Sequence, residues 1–111
     1  MSRDWRLNWA DIQLSCRKIQ RYTAGMDQAA FMADERTYDA VVRNLAIIGE
    51  AAKQLPDEAR SLAYQIEWRK IAGMRDVLIH AYFGIDDATL WDVISNKVPE
   101  LLAAMDASGG P

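Results

Sequence analysis

Residues 73–84 combine side chains that can do acid–base and phosphate chemistry. His80 is the only histidine of the chain, and an imidazole can both accept and donate a proton near neutral pH. Arg75 carries a permanent positive charge on a planar guanidinium that suits phosphate. Asp76 lies four residues before His80, so on a helix its carboxylate can orient the imidazole or favour its charged form. Tyr82 adds a hydroxyl just beyond.

The spacing of Arg75 and His80 raises a geometric problem. At about 100° per residue, the two positions lie about 140° apart around a straight helix and do not share a face. Either the helix ends between them, or a second chain completes the site. RNA cleavage by the 2′-hydroxyl also needs one proton acceptor and one proton donor. A two-fold dimer would supply two histidines, together with two arginines to hold the charge on the phosphate oxygens.

The rest of the chain must position these residues, and its strong periodicities are all helical. Apolar residues recur every three or four positions over 5–19, 38–55 and 91–105, which is typical of helices with one buried stripe. We expect Gly25 to close the first long helix, Asp34 to cap the second long helix and Asp86 or Asp87 to cap the last long helix. A short helix is expected over about 57–65, and a further one from near Trp68 to Phe83-Gly84.

These patterns predict an all-α fold, an antiparallel helical bundle of four main helices with short extra helical turns. Pro99 falls inside the last helix and is expected to kink it, because proline lacks an N–H and clashes with the preceding turn. Residues 1–106 are predicted to form a single domain, and residues 107–111 a disordered tail.

Composition restricts the function further. The 111 residues carry a net charge of −3, which argues against a high-affinity, sequence-blind nucleic-acid binder but permits an enzyme that holds RNA in one local pocket. No apolar run has the roughly 20 residues of a membrane span, and the first residues do not resemble a signal peptide. Cys16 is the single cysteine, so no internal disulfide and no zinc set is expected. We predict a cytoplasmic protein without a cofactor or a bound metal.

Charge is distributed unevenly along the chain. Residues 1–21 carry a net charge of +3, and residues 86–106 carry −4. Two explanations are possible: the first and last helices are neighbours with complementary faces, or the basic helix faces a polyanion. We favour the first, because exposed charge usually serves solvation.

The motif Arg75-Asp76-Val77-Leu78-Ile79-His80-Ala81-Tyr82 resembles the signature of the HEPN superfamily, and in its His-x-Tyr ending the HepT toxin family. Three further segments are similar to that family: 42–53 to its second long helix, 68–74 to the residues before the motif, and 82–91 to the residues after it. The resemblance therefore extends over most of residues 3–105.

The resemblance implies a small helical homodimer that acts as a metal-independent ribonuclease, the toxin of a type VII-like toxin–antitoxin pair, with RNA rather than DNA as substrate. It implies an MntA-like nucleotidyltransferase antitoxin as partner, in a complex that can exceed a dimer, which neutralises the toxin by adding AMP to the motif tyrosine. Arg75 and His80 would be catalytic, Asp76 would support them, and Tyr82 would be modified. Many relatives carry asparagine at the position of Asp76. The negative charge of the aspartate would weaken RNA binding.

Each candidate residue also has a structural interpretation. His80 could be a hydrogen-bonded core residue, and Tyr82 an interface aromatic with a wet hydroxyl. Glu50 could border the cleft or pair with an arginine inside the bundle. Arg43 and Asn44 are expected on a solvated face. The four tryptophans are expected in the core or a dimer interface rather than as base-stacking platforms: Trp5, Trp9, Trp68 and Trp91.

The sequence leaves two functions of different classes open. One is the toxin endoribonuclease. The alternative is a non-catalytic HEPN subunit that binds a nucleotide or a partner beside a minimal nucleotidyltransferase. The presence of Arg75, His80 and Tyr82 together favours the enzyme, because a scaffold does not need that set. A di-iron bundle is excluded, since Glu-x-x-His pairs are absent.

Overall fold

A computed structural model of the protein describes residues 3–81 and 86–111, with the side chains of residues 75–77 and 79–81 outside the description. These residues form helices and no strand, which confirms the all-α prediction. The helices are α1 (Trp5–Thr23), α2 (Gln28–Ala33), α3 (Glu35–Lys53), α4 (Asp57–Arg60), α5 (Trp68–Ala81), α6 (Asp87–Asp92) and α7 (Val98–Ala107). A 3₁₀ turn, Ser61–Ala63, follows α4, and a π-helical turn, Val93–Lys97, joins α6 to α7.

Helix ends follow the local capping signals. Asp34 accepts a hydrogen bond from the backbone N–H of Thr37 at 3.1 Å, and Asp86 caps α6 through the N–H of Ala88 at 3.1 Å. Gly25 has a φ of +77° just after α1, a conformation that glycine adopts without strain. All three predicted signals are therefore confirmed. Asp4 caps α1, and the N–H of Arg6 that donates to its carboxylate holds the pKa of Asp4 below its ordinary value.

The core forms where α1, α3, α5 and α7 meet. α3 lies between α1 and α5, and α7 covers the other side of α1. Trp9 and Trp68 are both buried, with ring centroids 6.1 Å apart, and Trp5 and Trp91 are partly buried against the same core. The core interpretation of the tryptophans is thus confirmed. The largest fully buried side chains are Trp9, Phe31, Ile12, Ile19, Leu45, Ile48, Met105, Val41, Val98 and Cys16.

Cys16 lies in the middle of this core and is fully buried. Burial raises the pKa of its thiol to about 12, because a thiolate would have to lose its hydration. The thiol therefore stays protonated at neutral pH and serves as a small apolar side chain.

The helix departs from regular α-helical geometry just before Pro99, at the π-helical turn, whereas the kink expected at Pro99 stays a prediction. There the N–H of Val98 donates to the carbonyl of Val93, five residues back. Proline lacks an N–H for the ordinary helical bond, and its ring crowds the carbonyl four residues before it, that of Ser95. A wider turn relieves this crowding, which explains why the helix changes its geometry instead of ending.

Complementary charges join the first and last helices. Arg17 of α1 forms an ion pair with Asp106 of α7 at 2.9 Å, and Gln13 donates a hydrogen bond to the same carboxylate at 2.9 Å. The neighbour explanation for the uneven charge is confirmed at this contact. Both partners of the ion pair are about half exposed, so we expect it to set the orientation of α7 more than to add stability.

The last helix ends near the predicted domain boundary at residue 106, and that boundary itself stays a prediction. α7 includes Ala107, one residue beyond the expected end, and the hydroxyl of Ser108 donates to the carbonyl of Met105 at 2.6 Å. Disorder of the remaining tail stays a prediction. None of the described helices is long and apolar enough to cross a membrane.

Candidate active site

α5 carries the motif, and Trp68 fixes where this helix begins. The Trp68 indole N–H points at two backbone carbonyls, that of Arg60 at 3.1 Å and that of Ala63 at 3.0 Å. The ring itself is 5% exposed. The first turn of α5 is therefore tied to the α4 segment by packing and by hydrogen bonds that are shielded from water.

The backbone of α5 is helical from Trp68 without a break to Ala81. The idea that the helix ends between Arg75 and His80 is therefore wrong. The two positions stand about 140° apart around the axis and about 7.5 Å apart along it. Completion of the site by a second chain, the other explanation for this spacing, stays a prediction.

The two motif positions fall on different faces of α5. The Cα of Arg75 lies about 20° around the helix from Trp68 and about 60° from Leu78, and both of those side chains are buried. His80 lies about 20° from Arg69 and from Gly73, which are exposed and half-buried respectively. The Cα of Arg75 thus lies on the core side of the helix, and the Cα of His80 lies on its outer side.

The side chains of Arg75, Asp76 and His80 lie outside the described residues, as does all of Tyr82. Their contacts and roles therefore stay predictions, and so does the expected end of the helix near Phe83. The structure describes the helical backbone on which these residues stand. One continuous helix, anchored at Trp68, carries three of the four residues at fixed angles.

A cavity of about 300 Å³ lies beside α5, between this helix and the segment that contains the π-helical turn. Its lining combines apolar and charged side chains, and two of the charged ones, Lys70 and Glu67, form an ion pair at 3.0 Å. The three lining residues that belong to α5, Lys70, Ile71 and Met74, stand at least about 80° around the helix from the position of His80. The lining residues are Gln65, Ile66, Glu67, Lys70, Ile71, Met74, Val93, Lys97, Glu100 and Leu101.

α3 packs beside the motif helix, and two of its polar residues differ in exposure. Arg43 is exposed as expected. The expectation for Asn44 is wrong: the residue is 6% exposed, and its amide donates to the carbonyl of Ala40 at 2.8 Å. This bond, to the carbonyl one turn earlier, satisfies a polar group inside the bundle. Glu50 is exposed, and both of its interpretations stay open.

Metal binding finds no support in the part of the chain whose side chains are described. There, no group of three His, Cys, Asp or Glu residues is arranged to hold an ion. His80 lies outside that part.

Comparison with known proteins identifies the family. The family model for Ribonuclease HepT-like proteins matches residues 12–107. The chain belongs to this family. The resemblance drawn from the motif is thereby confirmed, and the matched range contains both Arg75 and His80.

Curated relatives agree with this assignment. A protein of Thermococcus cleftensis, whose name reads probable ribonuclease HepT, is 42% identical over 82% of this chain and 83% of its own length. A Methanocaldococcus jannaschii protein, whose name reads putative RNase, is 40% identical over 87% of this chain and 80% of its own length. A Caldanaerobacter subterraneus protein named in the same way is 42% identical over 78% of this chain and 77% of its own. No solved structure matches the chain.

Proposed function

We propose that this HepT-like protein is a metal-independent endoribonuclease, the toxin of a toxin–antitoxin pair. The observation that carries the proposal is the family match over residues 12–107, which spans an intact Arg75–His80 motif on one unbroken helix. Relatives named as ribonucleases support the reaction class.

The chemistry follows from the two side chains. One His80 accepts the proton of a ribose 2′-hydroxyl while that oxygen forms a bond to phosphorus. The bond from phosphorus to the 5′-oxygen breaks, and His80 of the partner subunit gives that oxygen a proton. Arg75 stabilises the negative charge that builds up on the phosphate oxygens. The products are a 2′,3′-cyclic phosphate and a 5′-hydroxyl, so no water molecule and no metal ion enters the balance.

A homodimer is part of the proposal, because one chain supplies one histidine and holds it about 140° from Arg75. A two-fold axis that brings two α5 helices together would place both residue types on both sides of one cleft. Asp76 then supports the site from the face of His80, about 40° away around the helix.

The purified protein is expected to cut single-stranded RNA at an undiminished rate in EDTA and to leave 2′,3′-cyclic phosphate ends. Denaturing gels of end-labelled RNA measure the rate, and resistance of the new 3′ ends to phosphatase before acid treatment identifies the cyclic phosphate. An activity that EDTA removes and added magnesium restores would contradict the mechanism. A preparation without any activity would favour the non-catalytic subunit instead.

Regulation is proposed to act through Tyr82, two residues beyond His80. An MntA-like nucleotidyltransferase would join the tyrosine oxygen to the phosphorus of AMP, with release of pyrophosphate from ATP. Each AMP brings one negative phosphodiester and a bulky base, and Arg75 would pair with that phosphate instead of the one in RNA. Tethering makes a weak ligand effective, because its local concentration reaches about a millimolar.

The Tyr82→Phe variant separates modification from simple masking by the antitoxin. Co-expression of the unchanged toxin with its transferase is expected to raise the toxin mass in AMP-sized steps, and Tyr82→Phe is expected to keep its mass and its ribonuclease activity. Intact-mass spectrometry and the RNA gel assay report the two properties. If the partner still neutralises Tyr82→Phe with no change in mass, masking is the correct explanation and modification is not.

A further inference from the structure

Gly73 is a helical glycine for which the described part of the chain shows no packing requirement. It lies inside the 14-residue α5, where glycine is a poorer helix former than alanine. A Cβ placed on Gly73 would have no described heavy atom within 4 Å beyond its own stretch of helix. A positive φ does not explain the residue either, because the glycines with that conformation are Gly25 and Gly109. The described residues therefore give no structural reason for a missing side chain here.

Gly73 shares a face of α5 with the motif histidine. Arg69 and Gly73 each lie within about 20° of His80 around the axis, at about 16 Å and about 10 Å from it along the helix. Together they form an outer track along α5, defined here as Arg69, Gly73 and the position of His80.

This outer track carries an unneutralised positive charge. Arg69 is exposed, and it makes no ion pair with any described residue. The neighbouring Lys70 is already paired with Glu67 at 3.0 Å. A permanent guanidinium beside an open stretch of backbone complements a phosphodiester chain.

We propose that the outer track is a subsite for the substrate RNA. The ribose–phosphate chain next to the cleaved bond lies against α5 at Gly73, because no side chain stands in its way, and Arg69 pairs with one of its phosphates. This inference rests on the proposed ribonuclease function and adds two residues that position the substrate.

The test adds bulk at Gly73 in two steps. Gly73→Ala is expected to raise the melting temperature by about 4 °C, since the helix gains a better former, and yet to raise KM. Gly73→Leu is expected to raise KM at least about tenfold, a change of about 1.4 kcal/mol in binding, with a smaller change in kcat. Fluorescence anisotropy of a labelled 2′-O-methyl oligonucleotide, which cannot be cleaved, measures the same loss as an increase in Kd.

Arg69→Gln and Lys70→Gln are a matched pair of variants. Each removes one of two adjacent cations that lie on different faces of the same helix. Arg69→Gln is expected to weaken oligonucleotide binding and to lower the slope of log Kd against log salt by about 0.7, the value for one phosphate of a single strand. Lys70→Gln is expected to change neither quantity measurably, because its charge is paired with Glu67.

The outcomes separate the two proposals. If the unchanged protein cleaves and binds RNA, and Gly73→Leu does both equally well, the subsite is wrong while the ribonuclease function stands. If Gly73→Leu instead changes the mass measured by light scattering, with Kd per intact dimer unchanged, the track belongs to a second copy and the RNA assignment is overturned. If the unchanged protein neither binds nor cleaves RNA, both proposals fail.

Discussion

Replacing His80 with alanine is expected to abolish RNA cleavage, because the proposed mechanism has no other group for proton transfer at either oxygen. Arg75→Ala is expected to slow cleavage about 100-fold or more, as for the loss of one charge stabiliser in a preorganised site. Single-turnover cleavage of an end-labelled RNA measures both rates. Neither change is expected to lower helix content, since alanine is a good helix former, and circular dichroism checks this.

Mixing His80→Ala with the unchanged protein tests whether the site joins two chains. Unfolding equal amounts of the two together and refolding them as one sample produces about one quarter unchanged dimers, one half mixed dimers and one quarter variant dimers. A shared cleft needs both histidines, so each mixed dimer is expected to be inactive, and cleavage is expected to fall to about one quarter of the rate of the unchanged protein. A rate of about one half, the average of the two parents, would place each site inside one chain and contradict the dimeric cleft.

Trp68→Ala is expected to have the largest effect on stability, a loss of about 3–5 kcal/mol. The substitution removes a nearly buried indole from its contact with Trp9. It also removes the indole N–H, which donates to the carbonyls of Arg60 and Ala63 and so holds the start of α5 in place. Urea unfolding followed by circular dichroism measures the change in the free energy of unfolding.

Two further variants show whether the indole N–H matters apart from its bulk. Trp68→Phe retains most of the apolar contact and loses the hydrogen bonds, so we expect a clearly smaller loss than for alanine. Trp5→Ala, at a partly buried tryptophan on the edge of the same core, is expected to cost less than Trp68→Ala. Equal losses for Trp68→Ala and Trp5→Ala would contradict the anchoring role.

Local signals in the sequence predict the helices well. Asp34 and Gly25 act through hydrogen bonds and backbone angles within a few residues of themselves, so their effect does not depend on the rest of the fold. The apolar stripes predict the core for a similar reason. Asn44 shows the limit of such reasoning: its residue type favours exposure, but one bond to the carbonyl of Ala40 allows it to be buried.

Features that depend on contacts between distant segments are harder to predict. Pro99 indicates a disturbance, but the π-helical turn also depends on how the last helix packs against the bundle. The cavity beside α5 arises from the separation of two segments whose lining residues are about 25 positions apart in the chain. The candidate site lies between these cases. The motif gives the residues and the helix gives their angles, whereas the partner surface of a dimer leaves no periodic signal in one chain.

The unbroken α5 makes the proposed toxicity depend on dose in a steeper than linear way. In the proposed dimeric site, with Arg75 and His80 held on different faces, an active cleft would form only when two molecules meet. Below the dissociation constant of the dimer, doubling the number of molecules therefore raises the number of clefts about fourfold by mass action. A few molecules that escape the antitoxin would then do little harm, whereas a rapid rise in free toxin would be damaging. A continuous helix in this way gives the system a threshold.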